Sequence, residues 1–184
     1  GMKAKVYIID KSSERLKQLE RIFGDTIIPQ QSDKTDLKKL ISECVLLIGG
    51  VLIPGAEAPK LVTKDMLKFM KRGSVIVDVA IDQGGCVETS KPTTHANPTF
   101  IVDGVVHYCV ANMPGGVPRT STLALNKATI PFLTKLADKG YEKAFKEDKN
   151  FLAGLNVFKG QVTHKAVADT FGNKYVSAKE ALTN

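Results

Sequence analysis

The sequence predicts an α/β fold of the doubly wound kind, a parallel sheet with helices on both faces, followed by a helical segment. Three observations predict it. Short continuous Val/Ile/Leu runs recur through the first half of the chain, as strands buried on both faces require. Amphipathic stretches with polar caps lie between them, so strand and helix alternate. From Asn112 onward the strand signal fades and helical periodicity takes over. The 184 residues, 43% hydrophobic and 24% charged, have an ordinary globular composition, which excludes wholesale disorder.

Val6-Tyr7-Ile8-Ile9 ends at Asp10 and reads as the first strand. Ser12 or Ser13 caps the next helix, with Leu16, Leu19, Ile22 and Phe23 facing inward and Gly24 stopping it. Thr26-Ile27-Ile28, closed by Pro29, is the second strand. Asp36 to Glu43 reads as a short helix with Leu37, Leu40 and Ile41 inward. Val45-Leu46-Leu47-Ile48, ended by Gly49-Gly50, is the third strand. Beyond a Pro/Gly-containing loop, Thr63 caps a helix carrying Met66, Leu67 and Met70, which Gly73 terminates. Val75-Ile76-Val77-Asp78 and Val105 to Val110 are the remaining strands. Thr120 or Ser121 then caps a long helix through Leu123, Leu125, Ala128, Phe132 and Leu136 to about Gly140, and Pro131 is expected to kink it. Thr163 to Phe171 is the clearest of the short helices that follow. A boundary is expected near 113–118, dividing residues 1–113 from residues 114–184.

Several function classes drop out early. No apolar run approaches the ~18 residues of a membrane helix, and no signal-peptide core is visible, so no membrane association is expected. Cys44, Cys86 and Cys109 are odd in number and lack a CxxC pair. That argues against a disulfide framework or a zinc finger, predicts no metal site and fits a reducing cytoplasm. The net charge of +7 raises the question of nucleic acid. However, lysines are scattered among acids, there is no Trp, and the aromatics are not interleaved with Arg. No nucleic-acid partner is expected; a basic balance suits an anionic small molecule equally well.

Four places carry chemistry. Asp10 stands at a strand's carboxyl end, where an acid can bond the two ribose hydroxyls of a dinucleotide or can simply cap a turn. No G-x-G-x-x-G occurs anywhere in the chain to accompany it. Gly49-Gly50-Val51-Leu52-Ile53-Pro54-Gly55-Ala56 follows a strand, as either a close-approach loop for a ligand or a tight turn. Asp82, in Val77-Asp78-Val79-Ala80-Ile81-Asp82-Gln83-Gly84-Gly85, again follows a strand on the ligand-binding edge of an open sheet. Asn112, in Ala111-Asn112-Met113-Pro114-Gly115-Gly116, offers an amide to a heterocycle. Three of these loops leave successive parallel strands at one edge, which favours a shared site.

The strings from Val51 to Ala56, Gly73 to Gly85 and His107 to Pro114, continued by Arg119-Thr120-Ser121-Thr122, are family-specific. Over almost its whole length the chain resembles the C-terminal half of alanine dehydrogenase. The resemblance implies an NAD-binding domain of an enzyme that oxidatively deaminates L-alanine to pyruvate and ammonia. It implies that Asp10 holds the adenosine ribose, with Arg15 and Ser32 lining the adenine end. Val51, Leu52, Val79, Asn112 and Met113 would border the ribose and nicotinamide, and Asp82 would be the catalytic carboxylate beside the substrate. The family's substrate domain, its histidine acid/base, and the first strand and glycine-rich loop of the NAD domain have no counterpart in these 184 residues. The expected fold is therefore an incomplete Rossmann-like sheet without its central strand. Its residues 114–184 would be the helical segment that in the family packs on the substrate domain.

An unfilled centre leaves two open strand edges, and open edges pair with something. Val6 to Ile9 and Val45 to Ile48 are expected either to pair directly or to bond a second copy, giving a homo-oligomer. The leading functional expectation is part of an alanine dehydrogenase, inactive alone and completed by a separately encoded N-terminal half. The alternatives are a non-catalytic nucleotide-binding remnant and a structural or regulatory oligomerisation module.

Overall fold

Residues 2–54 and 57–183 are described by the computed structural model; the expected Pro-Gly loop therefore lies outside it at Gly55 and Ala56. Strands β1 (Val6–Asp10) and β2 (Ile27–Gln31) form a two-stranded parallel sheet, with Val6 opposite Ile27 and Asp10 opposite Gln31. The second sheet contains β3 (Leu46–Gly49), β4 (Val75–Asp78), β5 (Thr99–Val102) and β6 (Val105–Tyr108), in the order β3-β4-β6-β5. β3, β4 and β6 run parallel, and β5 is antiparallel to β6. β1 and β3 do not pair with each other. Each has one partnered edge and one open edge, which is the arrangement left when the middle strand of a doubly wound sheet is not in place.

The helices α1 (Ser13–Phe23) and α2 (Leu37–Glu43) begin where their caps dictate. Ser12 Oγ accepts the Arg15 N–H at 3.1 Å, and Asp36 Oδ1 accepts that of Lys39 at 3.2 Å. Each such cap contributes about 1 kcal/mol. Ile41 of α2 is fully buried with Leu67, Met70, Ile76, Val87 and Val105, and this cluster fills one face of the four-stranded sheet. The opposite face is less covered than continuous apolar strands predict. Leu46 and Ile48 of β3 are 52% and 64% exposed, and on α1 the expected inward residues Ile22 and Phe23 are exposed too. Leu46 and Ile48 lie on the edge strand of their sheet, and the two strands β1 and β2 alone offer α1 too narrow a surface to bury Ile22 and Phe23.

Several elements differ from the sequence expectation for identifiable reasons. Pro29 lies inside β2 instead of closing it, opposite Ile8, and an edge strand tolerates the missing N–H on its unpaired side. The helix after Thr63 is a 3-10 helix, Lys64–Phe69, and β6 ends at Tyr108. The hairpin β5–β6 is turned by Asp103 and Gly104, both with positive φ (52° and 82°). An Asp-Gly pair between two Val/Ile runs is the signal of such a turn.

Beyond a 3-10 turn at Met113–Gly116, the long helix α3 (Pro118–Glu147) starts at Pro118, two residues before the expected caps. Proline suits a first helical position, where its missing N–H has no partner anyway. The break in α3 falls at Gly140 (φ 72°, ψ 161°), not at Pro131. Glycine adopts that left-handed conformation at little cost, and the chain then folds back. Lys135 bonds Asp148 at 2.9 Å, Lys139 pairs with Glu147, and Phe151 of α4 (Lys149–Leu152) packs between the rings of Phe132 and Phe145. A short hairpin, β7 (Val157–Phe158) and β8 (Gln161–Val162), precedes α5 (Lys165–Phe171) and α6 (Ala178–Ala181). His164 takes the cap position of α5, so the helix starts two residues later than expected, and Gly172 ends it. No described helix is long and apolar enough to cross a membrane.

His107 is fully buried in β6, stacked on Phe100 with ring centroids 4.9 Å apart. Its Nδ1 lies 3.0 Å from the Val105 carbonyl and must donate there, so Nε2 accepts from the Thr89 hydroxyl at 2.8 Å. Burial pushes its pKa below the ordinary 6.5. The unfolded chain then binds the proton first, and stability is lost as pH falls through the unfolded value. Thermal melts between about pH 7.5 and about pH 5 should show a falling Tm, with a shallower fall in His107→Gln.

Candidate functional site

The site is built on the carboxyl edge of the four-stranded sheet. Gly49, the last residue of β3, lies opposite Asp78, the last residue of β4, so the segments that follow leave side by side. After β4 the chain makes a 3-10 turn, Val79–Gln83, which carries Asp82 exposed on its surface. Asp78 sets that turn. Its carboxylate has no solvent exposure, and it accepts the N–H groups of Ala80 at 3.2 Å, Cys86 at 3.0 Å and Val87 at 3.1 Å. A buried carboxylate is tolerable because backbone donors replace its water. The same charge, after burial itself, helps raise the neighbouring Cys86 thiol to about 11, so this cysteine stays protonated and is no nucleophile.

The carboxylate also explains two glycines. A Cβ on Gly85 (φ 76°) would sit 2.9 Å from Asp78 Oδ2, and one on Gly49 would overlap the Cys86 sulfur. Gly49 is therefore required by packing, whereas a Cβ on Gly50 would meet nothing within 4 Å. Gly49 ends β3 and is required by packing and not by a turn, and the open space beside Gly50 agrees with the close-approach reading of the pair.

The remaining expected residues are placed as follows. Val51 is half-buried and Leu52 exposed in the segment after β3, and Val79 is half-exposed at the start of the Asp82 turn. Asn112 precedes the Met113–Gly116 turn, and its Oδ1 accepts the Gly115 N–H at 3.2 Å. His95 braces that loop, its Nε2 lying 2.6 Å from the Asn112 carbonyl. Asp10, Arg15 and Ser32 belong to the β1–β2 unit. Asp10 Oδ1 accepts the Ser12 N–H at 2.7 Å, which is the local turn bond expected of an acid there. Arg15 reaches Gln18 at 3.2 Å, and Ser32 opens the 3-10 turn after β2. The four-stranded sheet thus gathers Val51, Leu52, Val79, Asp82, Asn112 and Met113 at one edge. The Asp10 group is separated from them by the open seam.

Sequence reasoning gives no site role to Asp78, Cys86, Lys60 or His95. Asp78 has a visible signal, an acid ending an otherwise apolar strand; the others are placed by long-range folding.

The residues present suit the two ends of a dinucleotide but not its middle. A carboxylate at the end of β1 fits ribose hydroxyls, and a glycine with free space beside it fits close approach of a ligand. No glycine-rich phosphate turn of the G-x-G-x-x-G kind occurs in the sequence.

A parallel-stranded nucleotide-type domain with its loops gathered at the carboxyl edge is the class that this geometry defines. Residues 1–165 match the family model for the alanine dehydrogenase/PNT C-terminal domain, so the chain belongs to that family and is its NAD-binding part. It is 58% identical over 182 residues to an alanine dehydrogenase of Halomonas elongata, covering 99% of this chain and 49% of that protein. It is 54% identical to alanine dehydrogenase 2 of Staphylococcus aureus, again over 99% of this chain and 49% of the relative. Among solved structures, an L-alanine dehydrogenase superposes with TM-score 0.79 and 48% identity, over 92% of this chain and 46% of the other. The transhydrogenase from Sinorhizobium meliloti gives TM-score 0.67 and 26% identity, over 89% and 43%. The chain spans about half the length of the relatives that it matches. They are longer proteins whose other part is the complement of this chain.

Gly49→Ala is expected to lower unfolding stability by about 1–3 kcal/mol through overpacking against Cys86. Combining it with Cys86→Ala should cost less than the sum of the two single changes, as read from denaturant unfolding of all three variants.

Proposed function

We propose that this chain is the NAD-binding part of an alanine dehydrogenase, catalysing oxidative deamination of L-alanine to pyruvate and ammonia once an N-terminal half completes it. The observation that carries the reading is Asp82, exposed on a turn fixed by a buried carboxylate, at the sheet edge where Val51, Leu52, Val79, Asn112 and Met113 also lie. The long relatives support it as proteins that carry both halves.

Bound NAD supplies the hydride acceptor in this chemistry. The chain's own residues bind and arrange. Asp10 takes the adenosine ribose hydroxyls, while Arg15 and Ser32 line the adenine end. Val51, Leu52, Val79, Asn112 and Met113 would border the ribose and nicotinamide, and the apolar side chains among them would keep water away. Asp82 offsets the positive charge that develops on the substrate nitrogen, and it passes a proton as water adds to the imine carbon.

Residues 1–113 act as the partial nucleotide domain, and residues 114–184 as the segment that covers the partner half. The exposed apolar side chains Leu123, Ile130 and Leu133 on α3 support a partner surface there. The N-terminal half, preceding this segment or encoded separately, supplies the strand between β1 and β3, the phosphate turn and the grip on the substrate carboxylate. Three free cysteines support a reducing, cytoplasmic setting, and where the N-terminal half is absent the same open edges support pairing with a second copy.

NADH fluorescence titration tests the cofactor end, and the absence of Trp keeps the protein background low. With the N-terminal half present, binding should be saturable and should weaken at least about tenfold in Asp10→Ala, the loss of charge-assisted bonds. Under the same conditions, alanine-dependent NADH formation should appear and should fall about a hundredfold or more in Asp82→Asn. Saturable NADH binding with no alanine-dependent turnover favours the non-catalytic remnant instead.

A further inference from the structure

The segment after β3 and the turn after β4 are joined along a row of four consecutive carbonyls. Ala58 N–H donates to the Gln83 carbonyl at 2.9 Å, and Leu61 and Val62 donate to that of Cys86 at 2.8 and 3.3 Å. The two carbonyls between, Gly84 and Gly85, face the stretch that holds Pro59, which has no N–H to offer. The Lys60 ammonium takes both: it donates to the Gly84 carbonyl and, at 2.8 Å, to that of Gly85. Glu57 Oε1 lies 3.7 Å from the same ammonium. On the other side of the loop, Asp78 holds the N–H groups of Cys86 and Val87, while those of Gly84 and Gly85 close back on Ile81 and Ala80. Gly84 and Gly85 both have left-handed φ, at 87° and 76°. The lysine thus holds the carbonyls of the two residues whose backbone takes this glycine-favoured conformation.

We infer that Lys60 is a positioning residue: by bridging the Gly84 and Gly85 carbonyls it fastens the segment carrying Val51 and Leu52 to the turn carrying Asp82. It fixes the catalytic carboxylate relative to the nicotinamide-bordering residues without touching substrate. Its catalytic part rests on the proposed alanine dehydrogenase reading. The mechanical part, immobilisation of residues 79–87, stands independently of it.

The test uses Lys60→Met, which keeps the stem and removes the donors, with Lys60→Arg as the conservative variant and Lys60→Gln as a substitute should Lys60→Met not fold. Amide hydrogen exchange on the full chain is the first readout. Lys60→Met should speed exchange about tenfold or more within residues 79–87 while β5 and β6 keep native rates, and Lys60→Arg should restore it. Turnover with the N-terminal half is the second readout. Lys60→Met should lower kcat about tenfold with KM for alanine within about twofold, and Lys60→Arg should recover most of it. Native exchange in Lys60→Met, or an equal rise across the whole sheet, overturns the inference. Loosening confined to residues 79–87 with unchanged kcat overturns the catalytic part. If the native assembly shows no alanine-dependent turnover, the functional reading fails, and the exchange data alone then decide whether Lys60 holds the loop.

Discussion

Burying the Asp78 carboxylate at the end of β4 constrains everything around it. A charge without water must be met by donors, and the Ala80, Cys86 and Val87 N–H groups can reach it only if the chain turns tightly after the strand and returns beneath it. That return places Asp82 outward, forces the left-handed path at Gly84 and Gly85, and brings the Cys86 sulfur against Gly49. One interaction therefore determines the shape of two adjacent loops, and the glycines at both are its consequence. Removing the carboxylate leaves several buried N–H groups unpaired at once, each at a cost of about 1–3 kcal/mol.

The second constraint is a strand position left open. Parallel strands have no reason to stand apart when both carry unpaired N–H and C=O groups and exposed Leu, Ile and Val side chains. β1 with β2 and β3 with β4 belong to separate sheets, and β1 and β3 are each left with an unpaired edge. Both the split sheet and the exposed side chains beside it then have one cause. The same cause accounts for the spread of the proposed nucleotide site: Asp10 ends β1, whereas Val51, Leu52, Val79, Asp82, Asn112 and Met113 belong to the four-stranded sheet's edge.

Much of this was legible in the sequence because local signals and tertiary packing agree. The runs Val6 to Ile9 and Val75 to Val77 are strands, Val45 to Ile48 is one from Leu46 onward, and Ser12 and Asp36 cap α1 and α2. Where expectation and structure part, the decision belongs to context. Pro29 sits in an edge strand whose outer N–H is not needed, and Pro131 leaves the break in α3 to Gly140, where ion pairs and an aromatic cluster hold the fold-back. β5, as long as β3 and β4, goes unread, although the Asp103-Gly104 turn beside it is a readable signal. The family-specific strings point to Asp82, Asn112 and their neighbours. Nothing in residue spacing points to Lys60, because its partners are carbonyls 24 and 25 positions away.

On the proposed reading, the seam between β1 and β3 accepts a strand from the N-terminal half and the nucleotide site closes around it. Residue-resolved amide exchange of this chain, with and without that half, decides the matter. Amides of Val6–Asp10 and Leu46–Gly49 on the open edges should gain protection together on addition of the half, with β5 and β6 unchanged. Edges that stay equally unprotected in the complex, or that are already protected in the isolated monomer, would contradict it.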